Sequence, residues 1–322
     1  MITTTPRWRQ IQRQNITRLS ELLDFLKIPQ TDLHVKPNFP LNIPLRLAQK
    51  MHNSLDDPLV KQFVPLKDES FITPGFTSDP VGDQGCQRTS KLLHKYQGRV
   101  LMVTTSACAM HCRYCFRQQY PYETSIKSYV AELNLIAQDD TITEVILSGG
   151  DPLSLNDERL QNLIHNIAQI PHIRRIRLHS RFPVGIPERI TPELLETFSS
   201  CPKQIYFVTH INHPRELDDD VTLALSKLRH IGIPVLNQAV LLKGINDSFE
   251  TLHQLFKTLA NHGIQPYYLH QLDRVQGTAH FEVPVDVGLQ LMEQLRASLP
   301  GYAVPAYVQD QGSQSSKTLL TK

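Results

Sequence analysis

This 322-residue chain has no stretch near the ~20 consecutive apolar residues that a membrane-crossing helix needs. The opening MITTTPRWRQIQRQ carries basic residues with no apolar segment behind them, so neither a membrane span nor a secretory leader is expected. Net charge is almost absent: 33 Lys and Arg against 31 Asp and Glu leave a formal +2. That gives no electrostatic case for nucleic acid or an acidic membrane as partner, and points to a small molecule instead. Cysteine is scarce, at five residues, and no repeat or low-complexity segment is evident. The expected location is cytoplasmic, where disulfides are uncommon and a tight cysteine cluster reads as metal-binding or catalytic.

The chain does contain enough apolar residues, 40%, for a substantial core. Residues 1–90 read as a helical, loop-rich extension, with helical apolar spacing in ITRLSELLDFLKI followed by the Pro-rich VKPNFPLNIPLRL and FVPLKDESFITPGF. From about Gly98 six apolar runs alternate with amphipathic segments: RVLMVTT, EVILSGG, IRRIRLHS, QIYFVTH, IPVLNQAVLL and QPYYLHQ. Such alternation implies βα units and a parallel sheet. Helix starts are marked by Thr191 before Pro192 and by Asp247 or Ser248, the latter helix ending at Gly263. Polar residues gather after strand upon strand, as expected where an α/β barrel assembles its site. With six units rather than eight, a partial (β/α)6 TIM-like barrel over residues 91–298 is predicted, with a C-terminal strand and tail over 299–322.

Three of the five cysteines, Cys108, Cys112 and Cys115, fall within TTSACAMHCRYCFRQQYPYE. Three thiolates can each take one iron of a [4Fe–4S] cube and leave the fourth iron open. That open iron can chelate the amino and carboxylate groups of S-adenosylmethionine, whose sulfonium a single electron then cleaves to a 5′-deoxyadenosyl radical. Structural zinc prefers closed sets of four, with Cys pairs on both sides. No second pair is present; Cys86, Cys201 or His111 would have to complete a zinc set.

The C-x3-C-x2-C spacing, with Tyr114 before the last cysteine, resembles the radical S-adenosylmethionine superfamily, and LSGGD at 147–151 looks like that superfamily's glycine-rich motif. The resemblance narrows to lysine 2,3-aminomutases over roughly residues 90–318. It rests on LMVTTSACAMHCRYCFRQ, VILSGGDPL, SRFPVGIPERITPELL, THINHPREL, GIPVLNQAVLLKGIND, PYYLHQLD, GYAVPAYVQD and a terminal Lys-Thr, in that order. It implies an isomerase that shifts the amino group of L-lysine from C2 to C3, using the iron–sulfur cluster, S-adenosylmethionine and pyridoxal phosphate. By the same resemblance Ser148, Gly149, Gly150, Asp151 and Tyr114 contact S-adenosylmethionine, and Lys317 forms the resting Schiff base with pyridoxal phosphate. Arg117 binds the substrate carboxylate, a natural use of a forked guanidinium. Asp273 and Asp310 grip the distal ammonium. Arg99 and Gln238 serve pyridoxal phosphate, with Lys95 and Tyr96 near its phosphate end.

His179, Arg181, His210 and His213 stand at strand ends without individual roles. The loop before Lys317, GSQSSK, departs from the Gly-rich run of many relatives. The chain stops soon after Lys317, and Ser248 occupies a position where clostridial-type relatives carry a cysteine for an intersubunit zinc site, so no such zinc is expected. The short tail and the N-terminal WRQIQRQNITRLSELLDFL resemble the bacterial EF-P β-lysylation protein B subgroup. That implies (R)-β-lysine as product, an indirect link to elongation factor P and its β-lysine ligase, and an electron donor. A sister aminomutase acting on arginine is the nearest rival. Glutamate is disfavoured by the two aspartates, and a non-catalytic iron–sulfur redox protein would leave Lys317 and Arg117 without a purpose.

Overall fold

The computed structural model describes residues 5–29, 39–123, 125, 127–312 and 314–321. Ten strands lie in chain order in one sheet: β1 Gln87–Thr89, β2 Leu92–Tyr96, β3 Arg99–Thr105, β4 Glu144–Gly149, β5 Arg175–Ser180, β6 Gln204–His210, β7 Val235–Val240, β8 Gln265–His270, β9 Ala306–Gln309 and β10 Thr318–Leu319. Neighbours from β3 to β9 are parallel. At one edge β1 and β2 run antiparallel, and at the other β10 turns back against β9. Among the described residues β1 and β10 do not pair, so the barrel is open on one side.

Six helices supply the crossovers after β3 to β8: Val130–Gln138, Asp157–Ala168, Pro192–Ser199, Asp219–His230, Phe249–Asn261 and Val285–Ser298. The six βα units expected from the sequence are therefore present, and the seventh apolar stretch forms β9. The start signals work as read. Thr191 accepts a hydrogen bond from the Leu194 amide and Ser248 from that of Thr251. Gly263, at φ +65°, follows the C-cap.

Side-chain alternation explains how a barrel can be polar inside. In β5, Ile176, Leu178 and Ser180 are buried beneath the helices, while Arg175, Arg177 and His179 line the interior. β7 repeats this, with Leu236, Gln238 and Val240 inward.

The N-terminal segment is part of the same core. Trp8 packs edge-on to Phe182 at 5.5 Å and lies between the guanidinium groups of Arg9 and Arg189. Leu22, Leu23 and Leu26 of the helix Leu19–Leu26 are buried. The helix Pro58–Phe63, capped by Asp57, buries Gln62 and Phe63. One continuous apolar cluster runs from Trp8 to Tyr307. No helix is long and apolar enough to cross a membrane among the described residues.

Candidate active site

A cavity of about 630 Å³ fills the barrel interior. Cys108, Cys112 and Cys115, in the loop after β3, all line it. Cys86 and Cys201 do not; Cys201 lines a separate small cleft. His111 has its Nδ1 2.9 Å from the Pro40 carbonyl. Burial pushes the Cys108 thiol well up, and the neighbouring Asp151, Cys115 and Cys112 add to it. Cys115 rises to about 11 through burial and Cys112. Cys108 and Cys115, buried beside Cys112, resist ionisation unless cations join them, so this donor set fits an iron–sulfur group. No three His, Cys, Asp or Glu side chains among the described residues converge on a single-ion site. A cube, by contrast, distributes its three thiolates over three irons.

The glycine motif at the end of β4 docks on this loop. The Gly150 amide donates to the Thr105 carbonyl at 2.7 Å and the Asp151 amide to the Ala107 carbonyl at 2.8 Å. A Cβ on Gly150 would meet the Ala107 carbonyl oxygen at 2.5 Å. Gly149 sits at φ +104°, where only glycine is unstrained. Its carbonyl accepts from Tyr122 Oη at 3.0 Å, while the Ser148 carbonyl accepts from Thr104 Oγ1.

Asp151 also lines the cavity, and its side chain is engaged within the fold. Its carboxylate accepts from Ser180 Oγ at 2.8 Å, the Leu153 amide at 3.0 Å and the Arg181 amide at 2.8 Å. It thereby ties β4 to the end of β5. Burial lifts it to about 6 against these hydrogen bonds.

Tyr114 faces the cavity, and its hydroxyl is held by Asn212 Nδ2 at 2.7 Å and by Arg181. Arg181 is buried, with Nη1 2.8 Å from Cys112 Sγ and Nη2 bound to Gln62 Oε1 at 2.7 Å and Glu216 Oε2 at 2.6 Å. Gln62 reaches this cluster because the N-terminal segment wraps the barrel, whereas Asn212 and Glu216 come from the loop after β6; neither meeting is visible in the local sequence.

Around the cavity's carboxylates, Lys317 Nζ lies 2.6 Å from Asp310 Oδ2. The other oxygen of Asp310 takes Tyr96 Oη at 2.9 Å and Lys95 Nζ, which also donates to the Val81 carbonyl at 2.6 Å. Lys95 and Tyr96 thus both meet Asp310. Burial raises Asp310, but Lys317 and Lys95 outweigh it and hold the carboxylate at about 2. Asp273 lines the same cavity, and its buried Oδ1 has no hydrogen-bond partner. Burial pushes Asp273 up to about 7, with Lys317 opposing and Asp310 adding. An orphaned carboxylate oxygen near an ion-paired aspartate is what an incoming ammonium would satisfy.

Arg117 is buried and lines the cavity, its Nε 2.8 Å from Asp83 Oδ2. Asp83, from the N-terminal segment, is itself buried, a partner that no local sequence pattern indicates. It holds the guanidinium through Nε, with the Phe116 and Tyr120 rings 4.8 Å and 5.8 Å away.

Cationic groups gather where β3, β4 and β5 begin. Arg99, Glu144 and Arg175 are cross-strand neighbours, and Arg177 follows two residues on. Arg177 binds Glu144 Oε1 at 2.6 Å, and Arg175 meets Glu144 Oε2 at 3.3 Å. Three guanidinium groups against one carboxylate suit a phosphate, and the buried Nε of Arg177 lacks a partner. Arg99 lies over the Tyr96 ring at 4.7 Å. Gln238 lines the cavity with its Nε2 3.0 Å from His210 Nε2. His179 and His270 line it too, and burial drives both well below the ordinary imidazole value; His210 falls to about 3. His213 is not in this lining. Its Nδ1 accepts from the Arg215 amide and caps the turn Pro214–Glu216.

The sequence profile of the Radical SAM superfamily matches residues 102–256, from β3 into the helix Phe249–Asn261. L-lysine 2,3-aminomutase of Escherichia coli (strain K12) is 40% identical over 314 residues, covering 95% of this chain and 92% of that protein. The chain belongs to the L-lysine 2,3-aminomutase family. Its Haemophilus influenzae relative is 38% identical, covering 98% of this chain and 96% of its own. The L-lysine 2,3-aminomutase of Clostridium subterminale is 32% identical across 97% of this chain but only 77% of its own length. Among solved structures, a radical SAM methyltransferase from Sphaerobacter thermophilus aligns with a TM-score of 0.47 at 17% identity, covering 68% of each chain.

Proposed function

We propose that this protein is an L-lysine 2,3-aminomutase, an isomerase that moves the α-amino group of L-lysine to C3. The observation that carries the reading is the joint occurrence, in one cavity, of a three-cysteine loop, Lys317 and the Asp273–Asp310 pair. Cys108, Cys112 and Cys115 would hold a [4Fe–4S] cluster, with the carbonyls of Ser148, Gly149 and Gly150 and the ring of Tyr114 positioning S-adenosylmethionine. Lys317 would carry pyridoxal phosphate, with Arg99, Arg175, Arg177 and Gln238 toward its phosphate. When bound, these groups supply one-electron cleavage of a sulfonium and a π system that delocalises an unpaired electron.

The chain's own work is orientation and exclusion of water. Arg117, braced by Asp83, binds the substrate carboxylate. Asp310 exchanges the Lys317 ammonium for that of the substrate, and Asp273 ionises as its orphaned oxygen gains a donor. Fixing both ends of lysine determines which hydrogen faces the radical source. His179, His210 and His270 stay neutral, so they neither repel the substrate ammonium nor offer it protons.

In this reading residues 1–90 contribute Gln62 and Asp83, residues 91–298 the barrel and cysteine loop, and residues 299–322 Asp310 and Lys317. The enzyme works in the cytoplasm with an electron donor, and the (R)-β-lysine it makes serves elongation factor P through a β-lysine ligase. The test is anaerobic reconstitution with iron, sulfide, pyridoxal phosphate, S-adenosylmethionine and reductant, followed by L-lysine. β-Lysine should accumulate, and borohydride should fix pyridoxal phosphate on Lys317. An intact cluster and bound pyridoxal phosphate without β-lysine would defeat the substrate assignment.

A further inference from the structure

We propose that Arg181 and Glu216 form a charge-tuning pair that sets the reduction potential of the cluster on Cys112. This rests on the reading that the three cysteines hold an iron–sulfur cluster. Arg181 stands at the end of β5 and reaches three separate parts of the chain. One nitrogen donates to Cys112 Sγ at 2.8 Å and to Tyr114 Oη, the other to Gln62 Oε1 and Glu216 Oε2. The Phe63 ring covers the guanidinium at 5.0 Å. The ion pair is inaccessible, with the Arg181 side chain 7% exposed and that of Glu216 0%.

A pair buried this deeply loses much of its Coulombic gain to desolvation, so stability is a poor reason for its presence. Glu216 is nonetheless built in. Its Oε1 accepts from the amides of Asn212 and His213 and from Gln62 Nε2, which leaves Oε2 for Arg181. The construction brings one compensated positive charge against a cysteine sulfur and the adjoining Tyr114 hydroxyl. Arg181 Nε is buried without a partner, so the side chain is placed for its Nη contacts at a cost to its own hydrogen bonding.

The electrostatic consequence has a definite sign. Reduction adds negative charge to the cluster and its thiolates. A donor on Cys112 Sγ stabilises that electron-rich state and raises the potential. Glu216 moderates the rise by neutralising the guanidinium. Losing Arg181 removes the donor and leaves a bare carboxylate, so the potential should fall. Losing only the charge of Glu216 leaves the guanidinium uncompensated, so the potential should rise. Arg181 is thus a positioning residue, acting through Cys112.

The experiment is a redox titration of the anaerobically reconstituted full-length protein without S-adenosylmethionine, after iron and sulfide content have been measured. Arg181→Met should lower the reduced-to-oxidised ratio at fixed potential at least ten-fold, about 59 mV for one electron. Glu216→Gln, which keeps a carbonyl acceptor for the two amides, should shift it the opposite way, and Arg181→Lys should fall between wild type and Arg181→Met. General loosening of the site would move Arg181→Met and Glu216→Gln in the same direction. That outcome, or shifts below two-fold at full iron content, overturns the proposal. If Arg181→Met loses its iron, the signs for Glu216→Gln and Arg181→Lys decide it. If wild type takes up no cluster, the underlying reading falls as well. Cluster uptake with unmoved potentials defeats this inference alone.

Discussion

Lys317 Nζ and Asp310 Oδ2 are 2.6 Å apart, so the chain's own amine occupies the place where a substrate ammonium is expected. Asp310 is simultaneously held by Lys95. Two carboxylates, Asp273 and Asp310, therefore face one fixed ammonium and one exchangeable one, and the site is balanced for a single added positive charge once Lys317 is engaged elsewhere.

Asp310→Asn should raise the KM for lysine by about 100-fold, in line with the few kcal/mol lost when one partner of a largely desolvated charge pair is removed. Because the folded carboxylate is held at about 2, below its unfolded value of 3.8, wild type gains stability above pH 3.8 and loses it as pH falls through about 2. The variant should lack that acid-sensitive component. Urea unfolding of the two proteins between pH 2 and 6 measures it.

Asp273 behaves oppositely. With its value raised from 3.8 to about 7, its contribution to apoprotein stability is full below pH 3.8 and is lost progressively as pH rises from there through about 7. Asp273→Asn should therefore raise the Tm of the apoprotein at pH 8 by a few degrees, roughly what 1 kcal/mol achieves in a domain of this size. The same change should weaken lysine binding. Wild-type affinity should decline below pH 7, with a proton released on binding, detectable as a buffer-dependent heat in calorimetry.

Asp83→Asn should leave Arg117 buried beside a neutral partner. The KM for lysine should increase by about 10-fold or more, with a smaller change in kcat, because ground-state positioning of the carboxylate is lost. Steady-state kinetics separates the two. Equal losses in both constants would indicate that Asp83 acts elsewhere.

Gly150→Ala places a Cβ 2.5 Å from a backbone carbonyl of the cysteine loop, and neither β4 nor that loop can yield cheaply. Iron retained after reconstitution should fall by half or more, and stability by about 1–3 kcal/mol, the usual cost of overpacking. Gly301→Ala opens onto nothing within 4 Å and should be neutral to within about 0.5 kcal/mol. Iron assay and denaturant midpoints for both variants supply the comparison.

Parallel strands announce themselves through unbroken apolar runs flanked by turn residues. RVLMVTT and QIYFVTH correspond residue for residue to β3 and β6. Strands β1, β2 and β10 carry no such signal. LLHKY holds only two consecutive apolar residues, and Thr318–Leu319 is a strand only because β9 lies beside it. In the site, residues borne by the cysteine loop or by strand ends could be read locally. Asp83, Gln62 and Glu216 could not, since each is an ordinary polar residue until the wrap of the chain brings it against Arg117 or Arg181. The partners of the Asp151 carboxylate could not be read locally either, since Ser180 Oγ and the Arg181 amide come from the neighbouring β5 and the residue after it.

The hairpin at one end of the sheet and the two-residue strand at the other have a consequence for life in a crowded solution. Seven parallel strands, open on one side, would otherwise present two templates for pairing with another copy and extending into fibres. Here each flank ends instead in a strand of two or three residues, and the β1–β2 pairing is broken by a register shift. So short an edge offers an incoming chain too few hydrogen bonds to propagate. The barrel can therefore stay open without the aggregation hazard that an unguarded sheet edge carries.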